Sequence, residues 1–373
     1  MMTSQIARWV HFTGCLAATL VGAVMLGAPS AQAAPFAYIT NCLSNNVSVI
    51  DTATNTVTAT VAGGSCPIAA AVNLAGTRAY VANNTSASVS VIDTATNTVT
   101  AIVAVGTGPA GVAVNPAGTR VYVTNANSNN VSVIDTTSNT VIATVAVGTF
   151  PYGVAVNPAG TRVYVTNQLA ATVSVIDTAT NTVIGGPITV SSSPISVAVN
   201  SAGTRAYTGN ITSNSVSVID TATNTVVATI AAGTRAEGVV LNPAGTLLYV
   251  ANQTPNTVSV IDTTTNTITA TVAVGNGPTG VAINPAGTRV YVVNTTSNSV
   301  SAIDTATNTV VATIAVGNQP ISFGAFIGGA AAPPPPPPPP SAAAIPTLSE
   351  WALIMLVGLV GLWGLIRVRR AAD

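Results

Sequence analysis

The chain has a single histidine, three cysteines and, from residue 36 to residue 328, no lysine at all. Charged residues make up 5% of its 373 residues and aromatic residues 4%. Each shortage excludes something. His11 lies in the N-terminal leader, so the mature chain holds no imidazole. That removes Ser-His-Asp triads, His-based acid–base catalysis and His-ligated metal sites. Between residues 36 and 328 stand six arginines and eight acidic residues, a net charge of about −2. A nucleic-acid surface needs a basic face to neutralise phosphates, so that role is excluded. No stretch there has an apolar period near 3.6, so no helix is expected within it. With so few charges, Thr, Ser and Asn must supply the wetted surface.

What is present is a repeat. The triplet Ile-Asp-Thr recurs with its aspartate at Asp51, Asp93, Asp135, Asp177, Asp220, Asp262 and Asp304, in steps of 42, 42, 42, 43, 42 and 42 residues. Ten residues before each aspartate stands an asparagine that ends a Tyr-x-x-Asn segment, from Asn41 to Asn294. Seven units in fixed register mean seven copies of one supersecondary element. In the copy that begins at Pro151, four runs rich in Val, Ile, Thr and Tyr read as strands: Tyr152–Val156, Arg162–Thr166, Thr172–Ile176 and Thr182–Val190. The separators carry Pro, Gly, Asn and Asp, which supply turn conformations. A four-stranded meander of this length is a propeller blade.

The array begins on its Tyr-x-x-Asn strand, Phe36–Asn41, without the Gly-Val-Ala-Val strand that precedes it elsewhere. It ends on Pro320–Phe326, which supplies that missing strand. The expected fold is therefore all-β: a seven-bladed β-propeller of four-stranded blades. Three N-terminal strands and one C-terminal strand complete the closing blade and hide the sheet edges. The Gly-Val-Ala-Val strand is placed innermost, where small residues suit the crowded centre. Tyr122-Val123-Thr124-Asn125 and Tyr164-Val165-Thr166-Asn167, each after an Asn-Pro-Ala-Gly-Thr-Arg run, resemble the YVTN-type propeller repeats of surface-layer and exported proteins.

Residues 1–33 read as a secretory signal peptide: Arg8, an apolar core over Cys15–Gly27, and Ala31-Gln32-Ala33 as an A-x-A site with cleavage before Ala34. An N-terminal membrane helix is the alternative. The propeller is expected over residues 34–329 and a proline-rich linker over 330–344. Its eight prolines, Pro333–Pro340, form a polyproline II spacer of about 25 Å. Residues 345–373 hold a short motif, an apolar run suited to a transmembrane helix, and a basic tail that should stay cytoplasmic. Ile345-Pro346-Thr347-Leu348 with Trp351, the helix and the arginines resemble the IPTL-type C-terminal sorting signal. That resemblance implies an exosortase-type membrane transpeptidase as partner, removal of the helix, and delivery to the cell surface or outer membrane. Unprocessed, the chain would stay tethered to the inner membrane and face the periplasm.

Residues locked to the repeat are architectural, so function is sought in those that break it. Two loop types vary between copies and lie on one face of the ring: the loop after each Asn and the linker between blades. The off-pattern residues there are Phe150, Tyr152, Arg235 and Glu237, an aromatic pair plus a base and an acid around a channel mouth, suited to a sugar or a peptide. The ring of seven aspartates sits too far out and too widely spaced to share an ion, so no metal and no cofactor are expected. Cys42 and Cys66 remain after signal removal. An exported protein permits a disulfide between them, the alternative being two free thiols.

These features point to an exported, surface-displayed propeller that is not an enzyme and serves a structural, adhesive or ligand-binding role, with a surface glycan or a protein as ligand. The alternatives are an exported propeller hydrolase or lactonase, for which the sequence offers only Glu237 in the channel, and a periplasmic scaffold held by its C-terminal helix.

Overall fold

The computed structural model describes residues 35–328. The expected signal peptide, proline-rich linker, sorting motif, transmembrane helix and basic tail lie outside them. The described residues form seven antiparallel sheets in chain order, a seven-bladed propeller. In the fourth blade the strands are Pro151–Val156, Arg162–Asn167, Thr172–Asp177 and an outer strand. The second and third strands are buried throughout their middles, because blades cover both of their faces. The outer strands alternate exposed and half-buried residues instead, as in Thr140–Ala146. A register shift recurs between the third and fourth strands, as at Val133/Ile134, and adds twist.

The fourth outer strand departs from the expected Thr182–Val190. It survives as Thr182–Val183 and Ile188–Thr189. Gly185, at φ 67°, and Pro187 interrupt it, since Pro has no N–H for the ladder and Gly favours a turn.

The ring closes as expected in kind but not in register. Ile327–Gly328 pairs with Phe36–Asn41, so the closing sheet is built from both chain ends. In the fourth blade, the chain from Pro151 to Val156 spans the partners Asn167 to Val163. In the closing blade, Pro320 to Ile327 spans only Asn41 to Ala37. The surplus chain bows away and pairs in parallel with the inner strand of the second blade. Ala70 N–H donates to Phe323 O at 3.1 Å, and Val72 N–H to Ala325 O at 3.0 Å.

The repeated residues acquire reasons. Each Tyr-x-x-Asn tyrosine is buried between blades. The Tyr38 hydroxyl donates to Asn97 Oδ1 in the turn of the next blade, 3.1 Å away. Across the ring junction, Tyr291 reaches Asn55 Oδ1 at 2.9 Å and Thr52 O at 3.0 Å. Burial pushes the Tyr291 phenol up to about 12. The asparagine that follows is fully buried and holds the third strand, as Asn167 Nδ2 does by donating to Ser174 Oγ at 2.9 Å. The linker glycine packs directly on it: a Cβ on Gly148 would stand 2.5 Å from Asn167 Cγ.

Each turn aspartate caps its own turn. Asp135 Oδ1 accepts from the N–H groups of Thr137 and Ser138, both at 3.0 Å. Its Oδ2 pairs with Arg120, and the fourth, fifth and seventh blades repeat that ion pair. The backbone hydrogen bonds hold Asp93, Asp135, Asp177, Asp220, Asp262 and Asp304 below the ordinary carboxyl value.

Two outcomes follow. Because these carboxyls titrate lower in the folded state than in the unfolded one, their stabilisation is complete above about pH 4 and is lost as pH falls below it. Urea midpoints measured down to pH 2.5 should drop in that window. Gly148→Ala should cost about 1–3 kcal/mol of unfolding free energy by overpacking Asn167, whereas Tyr291→Phe should cost only about 1 kcal/mol.

Candidate functional site

The variable loops and the linkers between blades share one face, here the loop face. The Asn-Pro-Ala-Gly and Asp-Thr turns occupy the opposite turn face. Each linker ends in a residue of positive φ: Cys66 (49°), Gly108 (65°), Phe150 (56°), Ser193 (60°), Arg235 (58°), Gly277 (67°) and Gln319 (51°). Glycine adopts this conformation freely, while other residues pay about 1 kcal/mol or more. Phe150 and Arg235 are held there by the preceding variable loop: Phe150 N–H donates to Asn129 Oδ1 at 2.9 Å, and Arg235 N–H to Asn214 Oδ1 at 2.8 Å. Phe150 and Arg235 thus share with Cys66, Ser193 and Gln319 a linker conformation that glycine takes in the third and seventh blades.

Of the four residues singled out by sequence, the structure makes two pairs. Phe150 and Tyr152 stack with ring centroids 6.5 Å apart. Arg235 Nη2 lies 3.3 Å from Glu237 Oε1. The guanidinium is about half exposed, at 47%, while the Glu237 side chain retains only 5%. Burial pushes the Glu237 carboxyl up to about 7, against the pull of Arg235. Tyr152 is raised as well, first by burial and then by the Glu237 charge, which brings the aromatic pair into the field of the ion pair. The arrangement is a desolvated carboxyl that shifts between acid and base near neutral pH, beside a fixed cation.

Beneath this mouth the channel is shut by side chains that the sequence reading passed over. Phe323 meets the Tyr152 ring edge-on at 5.3 Å, and Ile195 packs with both. Phe323 occupies the position that is valine in most other inner strands, so its departure from the repeat was the signal available. Below this septum lies a cavity of about 330 Å³ lined by inner strands and by Phe323, Gly324 and Ala325 of the closing segment. It contains no ionisable side chain. Its lower lining residues, such as Val114, Val156, Val199 and Ile283, are half-buried, so it opens towards the turn face.

Cys42 and Cys66 are joined in a disulfide. It ties the first variable loop to the first linker beside Ile68 and Ala110 of the mouth. Closing a loop of 24 residues stabilises the fold by about 3 kcal/mol on the loop-entropy argument. Among the described residues, no three His, Cys, Asp or Glu side chains converge as a metal site would require.

Comparison with known proteins gives two family matches. A family described as lactonase, 7-bladed beta-propeller, matches residues 30–183 and 197–315. The IPTL-CTERM motif matches residues 343–370. No curated protein matches the chain in sequence. Among solved structures, the hydrazine synthase of Kuenenia stuttgartiensis is similar at 25% identity and TM-score 0.64, over 69% of this chain and 88% of that one. A functionally unknown protein of Desulfotomaculum acetoxidans matches at 17% identity and TM-score 0.68, over 78% and 99%. A candidate 6-phosphogluconolactonase of Bacteroides fragilis matches at 18% identity and TM-score 0.66, over 79% and 99%.

The match to a lactonase family overturns the expectation that the chain is not an enzyme. The physical reason lies in Glu237. A missing histidine removes imidazole chemistry, but burial can bring a carboxyl into the same working range.

Glu237 also makes an opposite pH signature to that of the turn aspartates. Its folded-state value of about 7 lies above the ordinary 4.5. Stability should therefore fall as pH rises from about 4.5 to 7, by about 3 kcal/mol. In Glu237→Gln that slope should vanish, as read from urea unfolding across the same range.

Proposed function

The chain belongs to the lactonase family of seven-bladed β-propellers, and on that premise we propose that it is an exported hydrolase that opens a lactone ring at the loop-face mouth. The observation that carries this reading is the buried Glu237 carboxyl beside the exposed Arg235 guanidinium. In its ionised form Glu237 takes a proton from water. The water oxygen bonds to the lactone carbonyl carbon, and the carbonyl oxygen becomes an oxyanion facing Arg235, whose N–H groups donate to it. Collapse of the tetrahedral species breaks the ring C–O bond. The proton on Glu237 passes to the departing alkoxide, leaving a hydroxy acid. Phe150 and Tyr152 supply an apolar floor for the ring carbons. Glu237 carries the proton through these steps, while the Arg235 cation meets the developing negative charge.

The full-length protein, assayed by pH-stat against a panel of monocyclic lactones, tests this. Hydrolysis should rise with pH through about 7 as Glu237 ionises. Glu237→Gln should lower kcat by about 10²–10⁴. Arg235→Gly relieves the positive-φ residue, so the fold should be at least as stable. Its pH midpoint should nevertheless move upward, because the cation that favours ionised Glu237 is gone. Absence of turnover for every lactone would refute the reading, and full activity in Glu237→Gln would remove these residues from it.

We propose, further, that the chain is exported and sorted by its two ends. Residues 1–33 act as a signal peptide, 34–329 as a surface-layer-like propeller of YVTN type, and 330–344 as a spacer. Residues 345–373 serve as sorting motif, transmembrane helix and basic tail. Ile345, Pro346, Thr347, Leu348 and Trp351 fall within the segment matched to the IPTL-CTERM motif. An exosortase-type transpeptidase would remove the helix and pass the propeller to the cell surface. The intact mass of protein from its native host should lack the segment beyond about Ile345. A mass that retains the helix, found in the inner membrane, would leave the chain tethered and facing the periplasm.

A further inference from the structure

The axial cavity is lined by strand edges as well as by side chains. An inner strand pairs with its neighbour on one side and turns its other edge to the channel. In the second blade that edge is occupied. Ala70 and Val72 donate to Phe323 O and Ala325 O, and Phe323 N–H returns a bond to Ile68 O at 3.2 Å. The pairing is parallel, with Ala69 opposite Phe323. The chain thus adds one of its own extended segments to an inner edge.

The other inner strands share that edge's register against their second strands. Ala70 pairs with Val81, as Val112 pairs with Val123 and Val154 with Val165. Val112 O, the counterpart of Ala70 O, faces the closing segment: a Cβ on Gly324 would stand 2.9 Å from it and 2.8 Å from Ala70 O. By the same register, the N–H groups of Val154 and Val156, of Val197 and Val199, and of their counterparts in the third, sixth and seventh blades face the cavity. Apart from Ser196 and Phe323, the walls between these edges are Gly, Ala, Val and Ile, and no ionisable side chain lines the space.

We propose that this cavity is a binding site for an extended peptide of small, uncharged residues, which enters from the turn face and adds in parallel to a free inner edge. Backbone donors and acceptors supply recognition, as in other cases of strand addition. The small walls exclude charged side chains, whose desolvation nothing in the cavity offsets. The occupied edge of the second blade shows the mode, and the part of the closing segment that lies below Phe323 and lines the cavity, Gly324 and Ala325, shows the composition: small and uncharged. This site is separated by the Tyr152–Phe323 septum from Glu237, so it stands apart from the hydrolase reading.

The test uses the full chain and a fluorescein-labelled tetrapeptide of small, uncharged residues, acetyl-Gly-Ala-Val-Ala-amide. Fluorescence anisotropy should show saturable binding. Ala325→Trp places a large ring in the cavity from an exposed position outside the regular blades, and should weaken binding about tenfold or more. Amide exchange on the unaltered protein should show new protection at Val154, Val156, Val197 and Val199. The competing free edges are the outer strands, such as Thr98–Ala104. Protection confined to those strands would overturn the proposal. So would an absence of saturable binding, or equal affinity in a folded Ala325→Trp variant.

Discussion

A buried tyrosine stands at every blade interface, and at the two junctions that flank the closing blade its hydroxyl meets the turn of the neighbour. A propeller sheet has two faces and both must be covered, so no blade is stable alone. Apolar packing between valine-rich faces is non-directional and would tolerate sliding. The tyrosine hydroxyl is directional, because it is satisfied only where it meets the neighbour's turn, as with Asn97 for Tyr38 and Asn55 for Tyr291. At those two junctions the contact fixes the radial position of one blade against the next. The turn must in turn be held, and the aspartate does this by accepting from two backbone N–H groups. The two sequence markers, Tyr-x-x-Asn and Asp-Thr-x-x-Asn, are therefore the two halves of one joint.

Most of the architecture was legible because it is written seven times. Strand positions, blade count and the use of both chain ends follow from spacing and turn chemistry alone. What escaped was written once. The surplus chain between Pro320 and Ile327 looks like an ordinary inner strand, since nothing local shows which residues its distant partner will choose. Pairing at Ala37 rather than earlier is settled by a strand almost three hundred positions away. The broken outer strand of the fourth blade was more accessible, because Gly185-Gly186-Pro187 carries its own turn signal.

The candidate site was half legible. Phe150, Tyr152, Arg235 and Glu237 stood out by departing from the repeat, and the structure brings them together as a stacked pair and an ion pair at one mouth. The error concerned chemistry: the lack of imidazole was taken as the lack of a group working near neutral pH. Desolvation of Glu237 is a property of the assembled channel and cannot be seen in the dipeptide Glu237-Gly238. Nor could the sequence show that Phe150 and Arg235 occupy positive-φ positions, where a side chain costs stability that glycine would not.

The clasp between Phe36 and Gly328 lies on the turn face, since Phe36 also pairs with Asp51 at the head of a turn. Gly328, the last described residue, therefore lies on that face. Any mechanical load applied there arrives first at the short Ile327–Gly328 pairing, and pulls its rungs apart one at a time instead of shearing them together. The Cys42–Cys66 bridge lies outside this force path and gives it no reinforcement. Under tension the propeller is a buckle whose tongue is its final strand, which has fewer rungs on its own sheet than a regular inner strand and leans on the second blade for the rest of its hold.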